Sequence, residues 1–93
     1  MGTSFDEEVE ELLVTEEVLV DERQLVLYND DFNTFEFVIE SLMEVCGHDH
    51  IQAEQCTLLV HYKGRCSVKI GSYEVLEPMC TALLDRDLSA EID

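Results

Sequence analysis

The apolar positions of this chain change period several times after an acid-rich start. Leu25, Val26, Leu27 and Tyr28 form a run of β-formers that predicts a strand from about Gln24 to Tyr28. Asn29-Asp30-Asp31 ends it, because short acceptor side chains favour turns over ladders. The period then turns helical: Phe35, Val38, Ile39, Leu42, Val45 and Cys46 share one face, and Glu36, Glu40 and Glu44 the other. Asn33 as N-cap with Glu36 three residues later makes a capping box for this helix, and Gly47 is its stop. Asp49 with Gln52 opens a second helix carrying Ile51, Cys56, Leu59 and Val60 to His61, and Lys63-Gly64 turns the chain.

Cys66, Val68 and Ile70 then alternate with Ser67 and Lys69, the pattern of a half-buried strand. After Gly71-Ser72, a third helix carries Val75, Leu76, Met79, Cys80, Leu83 and Leu84. Pro78 lies deep for a helix capped by Ser72. Either the first turn begins near Glu77 with Pro78 at its first position, or the helix opens with a distorted turn. Leu88, Ala90 and Ile92 alternate with Ser89 and Glu91 in a last short strand. The expected order is β-α-α-β-α-β. Three helices on one face of a small three-stranded sheet make an α+β fold.

A chain of 93 residues makes one domain with one modest core. The net charge of −17 is unevenly placed. Residues 1–23 hold nine acids against Arg23, a net −8, and residues 24–93 hold thirteen acids against four bases, a net −9. Residues 1–22 therefore read as a flexible acidic arm and residues 23–93 as the folded core. A field of this sign repels phosphate backbones, which excludes nucleic acid as a partner and favours cationic ligands. The start of the chain lacks the basic and apolar regions of a signal peptide, and no segment nears the roughly 18 apolar residues of a membrane span. Cys46, Cys56, Cys66 and Cys80 form no C-x-x-C pair. The expectation is a reduced, cytoplasmic protein without a membrane partner.

Candidate chemistry concentrates where the first strand breaks. Acceptor-rich side chains at the mouth of an apolar element suit a ligand with a cationic end and an apolar side chain, which describes the start of a peptide. Asn29 supplies a carbonyl oxygen, and ionised Asp30 adds a charge-assisted bond. His61, as a neutral imidazole, supplies a third acceptor. Cys46-x-His48-x-His50 has zinc-compatible residue types, but three candidates in five residues straddle a helix end and the next helix start. Nothing basic activates a thiol, so neither an enzyme nor a cofactor is expected.

Asn29-Asp30-Asp31-Phe32, the turn into Glu36-Phe37-Val38, and Val60-His61-Tyr62-x-Gly64 together resemble the ClpS family of bacterial adaptors for AAA+ proteases. The resemblance runs from about Gln24 to Ile92. It implies an adaptor that binds proteins with N-terminal Leu, Phe, Tyr or Trp (N-degrons) and delivers them to a ClpA- or ClpC-type unfoldase for ClpP degradation. By the same resemblance, Asn29, Asp30 and His61 hold the α-amino group, and Leu27, Phe35, Val38, Thr57 and Val60 border an apolar pocket. Thr57 and Phe35 stand where family members often carry methionines. Glu74 matches a family contact to the unfoldase, and the acidic arm matches an extension needed for delivery. The alternative is an acidic interaction domain of the same fold that binds a basic partner and has no N-degron pocket.

Overall fold

The computed structural model describes residues 22–93. The arm expected over residues 1–22 lies outside the described residues but for Glu22. Six elements follow in the expected order: β1 (Arg23–Tyr28), α1 (Phe35–Cys46), α2 (His50–Lys63), β2 (Arg65–Gly71), α3 (Tyr73–Asp85) and β3 (Ser89–Ile92). The sheet is antiparallel with strand order β2-β1-β3, so the most apolar strand is central. Its Leu25 and Leu27 meet Val38, Leu42 and Cys46 of α1, Ala53 and Val60 of α2, and Leu76, Cys80 and Leu83 of α3 in one core.

β2 departs from the expected alternation. Leu25 pairs with Lys69 but Val26 with Ser67, which leaves Val68 as the extra residue of a bulge. Val68 stays buried, while Ile70, expected inward, pairs with Gln24 and is 57% exposed. The side chain of Lys69 instead turns in, and its Nζ donates to Cys46 O at 3.2 Å, at the negative end of α1. One inserted residue reverses a period of two, so every residue beyond it changes face.

The first helix cap also differs from the expected capping box. Thr34, not Asn33, is the N-cap: it has extended dihedrals and accepts from Phe37 N. Asn33 is engaged elsewhere, and Glu36 sits within the first turn, where a carboxylate favours the helix dipole. Gly47 ends α1 with φ 71°, and Asp49 caps α2 by accepting from Gln52 N, both as expected. In α3 the second of the two readings holds. Ser72 caps the helix, and its carbonyl accepts from both Val75 N and Leu76 N, a tightened opening turn, with Pro78 inside the helix. The first turn does not begin near Glu77.

The exit from α3 sets up the site. Asp87 adopts φ 63°, Leu88 N donates to Leu83 O, and Asp87 N donates to Leu84 O. These bonds form a Schellman motif with an aspartate in the left-handed position usually held by glycine. The motif turns Leu88 inward, where it is 3% exposed. Arg86 donates to Ser41 Oγ and pairs with Glu44, tying this end of α3 to α1. Hydrogen bonding to Arg86 lowers the Glu44 carboxyl below its ordinary range. No helix among the described residues is long and apolar enough to cross a membrane.

Candidate functional site

The end of β1 and the turn after it, the start of α1, the end of α2 and Leu88 in the exit from α3 converge on one small cavity of about 50 Å3. Leu27, Asn29, Asp30, Phe35, Val38, Thr57, Val60 and His61, the predicted pocket residues, all border it. Glu74 does not; it lies in the first turn of α3, exposed.

Backbone pairing explains this convergence. Asn29 N donates to Gly64 O at 3.0 Å, which pins the end of β1 to the turn after α2. Gly64 reaches that turn through φ 88° and donates to Val60 O, so the last turn of α2, with Val60 and His61, stands beside Asn29. Leu27 and Val60 are buried, as is Val38 from α1. Thr57, 3% exposed, donates its hydroxyl to Ala53 O at 2.7 Å. That bond satisfies the hydroxyl within its own helix.

The polar rim is built around Asp30. Its Oδ1 accepts from Phe32 N at 2.8 Å and Asn33 N at 2.7 Å, and its Oδ2 accepts from Asn33 Nδ2 at 2.9 Å. Burial raises the Asp30 carboxyl, but the bonds from the Asn33 side chain and from the Asn33 and Phe32 backbones outweigh it, and the net direction is down. Asp30 therefore stays ionised, and it is also the brace of its own turn. The three bonds occupy most of the roughly four acceptor positions of a carboxylate.

The Asn29 side chain has no protein partner among the described residues, and His61 is held by rings alone. Phe35 meets His61 edge to face with centroids 5.1 Å apart, and Tyr62 meets it from another side, also at 5.1 Å. The cavity thus has an aliphatic floor, one aromatic wall, and carbonyl, carboxylate and imidazole groups at its mouth.

Sequence reasoning missed three lining residues: Tyr28, Asn33 and Leu88. Tyr28 was detectable as the neighbour of Asn29. Asn33 was assigned to the helix cap, a local role that hides a longer reach. Leu88 had no local signal, because only the Schellman turn brings it to the cavity.

The cysteine and histidines of the Cys46-x-His48-x-His50 stretch go separate ways. Cys46 is buried in the core, His48 Nε2 lies 2.6 Å from Val68 O, and exposed His50 faces Glu54 at 4.0 Å. Among the described residues, no group of three or more potential ligands is placed to hold a metal ion.

The family model described as "ATP-dependent Clp protease adaptor protein ClpS" matches residues 20–91. The ATP-dependent Clp protease adapter protein ClpS of Roseobacter denitrificans is 37% identical over 62 residues, covering 67% of this chain and 55% of that protein. Its counterpart in Wolinella succinogenes is 33% identical over 76 residues, covering 82% of this chain and 72% of that protein. The chain thus spans little more than half the length of the first relatives it matches. Among solved structures, Agrobacterium tumefaciens ClpS2 bound to L-phenylalaninamide superposes with a TM-score of 0.73 at 20% identity, covering 78% of this chain and 95% of that one. The fold is therefore that of a small α+β protease adaptor. This chain belongs to the ClpS family.

Proposed function

We propose that this chain captures proteins through a free N-terminus bearing a bulky hydrophobic first residue, and passes them to a ClpA- or ClpC-type unfoldase. The observation that carries the reading is the single cavity in which Asn29, Asp30 and His61 stand at the mouth of walls formed by Leu27, Phe35, Val38, Thr57 and Val60. An N-terminal ammonium has three donors and one positive charge. Acceptors and an ionised carboxylate beside an apolar hollow match it on both counts. The ligand of the Agrobacterium structure, L-phenylalaninamide, has that same pair of features, a free α-amine and an apolar side chain.

In this reading Glu74, exposed on α3, contributes to docking on the unfoldase, and the acidic arm of residues 1–22 extends from the core of residues 23–93 to assist delivery. The protein is a cytoplasmic binding module without catalysis of its own. Fluorescence anisotropy with Leu-, Phe- and Met-initiated peptides, each with and without N-acetylation, tests the central claim. Free Leu and Phe peptides bind and the acetylated forms do not; binding indifferent to acetylation sinks the reading. In that event the overall −17 charge supports the other class, a module for a basic partner, whose complex dissociates steeply as salt rises.

A further inference from the structure

Asn33 is the residue of the site whose geometry exceeds any local role. Its two amide protons are both committed: Nδ2 donates to Asp30 Oδ2 at 2.9 Å and to the backbone oxygen of Asp87 at 3.0 Å. Asp30 belongs to the turn after β1 and Asp87 to the exit from α3, so the amide plane is clamped between one partner three residues before Asn33 and another 54 residues after it. A side-chain amide has two donors and one carbonyl oxygen. With both donors fixed by an anionic and a carbonyl acceptor, the nitrogen and oxygen cannot exchange places, since a flip would set Oδ1 against two acceptors. Oδ1 has no protein partner among the described residues, and Asn33 lines the cavity.

The acceptor count at the rim points the same way. Asp30 already receives three hydrogen bonds from its own turn, which leaves it about one position for a ligand. Resting on the N-terminus reading above, we propose that Asn33 is a ligand-binding residue whose Oδ1 accepts a proton of the bound ammonium, beside Asn29, Asp30 and His61. The clamp by Asp30 and Asp87 holds this acceptor in place before the ligand arrives, so little side-chain entropy is lost on binding. The same clamp holds the loop that carries Leu88, joining the polar rim and the apolar wall through one side chain.

The test is side-chain carbonyl NMR on the unaltered full chain, titrated with L-phenylalaninamide and, separately, with N-acetyl-L-phenylalaninamide. Acceptance of a new hydrogen bond moves the Asn33 Cγ resonance downfield with the first ligand and leaves it in place with the second. Movement of the Asn29 and Asp30 resonances with a stationary Asn33 overturns the proposal while the N-terminus reading stands. If no rim resonance responds to L-phenylalaninamide, both fall. Asn33→Ala adds a second readout: at least a five-fold weaker affinity for a Phe-initiated peptide, with a retained amide fingerprint. An unchanged affinity in that folded variant also overturns the proposal.

Discussion

Phe35 and His61 meet edge to face across the mouth of the cavity, their ring centroids 5.1 Å apart and their planes at 89°. One ring comes from the first position of α1 and the other from the last turn of α2. Their contact gives the mouth an apolar wall and holds an imidazole acceptor beside it. The two contributions are separable. His61→Phe keeps an aromatic partner for Phe35 but removes the acceptor, so peptides with a free amine lose about 1–3 kcal/mol, the scale of a hydrogen bond to a charged group. Phe35→Ala loses about 0.5–1.5 kcal/mol of ring contact together with part of the wall, and weakens Phe-initiated peptides most. Anisotropy titrations of both variants against the unaltered protein check this, and equal losses for the two would contradict it.

Asp30 governs stability at low pH. Its folded carboxyl lies below the ordinary value of 3.8 because bonds from Asn33 and Phe32 outweigh its burial. A depressed carboxylate contributes stability that is fully present above the unfolded value and is lost as pH falls through the folded one. Asp30→Asn sets an amide donor against Asn33 Nδ2 and costs about 1–3 kcal/mol at pH 7. The gap from the unaltered protein narrows below pH 4. Urea denaturation at pH 7, 5 and 3 reads both effects.

The left-handed Asp87 supplies a stabilising change that leaves the site intact. At φ 63° glycine avoids the strain of a Cβ, and the backbone oxygen that Asn33 uses is retained. Asp87→Gly relieves about 1–2 kcal/mol of left-handed strain against about 0.4–1 kcal/mol of added unfolded-chain entropy, so stability rises by up to about 1 kcal/mol, visible as a higher Tm, without loss of peptide binding.

The thiols of buried Cys46 and half-buried Cys56 are unreactive. Burial pushes Cys46 up to about 11 despite the nearby Lys69, and burial together with a hydrogen bond to Cys66 pushes Cys56 up to about 12. Thiolate is the reactive form. At pH 8 iodoacetamide modifies both cysteines at least about ten-fold more slowly in the folded protein than in urea.

Much of this protein is set by patterns a few residues long. A run of β-formers, a turn of acceptors, helical apolar spacing and caps at Asp49 and Ser72 determine the order of elements, because each depends on near neighbours. The Asn29-Asp30 and Val60-His61 segments mark the cavity for the same reason, since each sits at the end of an element whose neighbours bring the two ends together. Tertiary structure decided the rest. Thr34 became the cap because Asp30 and Asp87 claim Asn33, Ile70 faces out because a bulge at Val68 reverses the strand period, and Leu88 reaches the cavity through the exit from α3. In each case the partner is another part of the chain competing for the same hydrogen bond or the same face, and such competition is settled only when the elements pack.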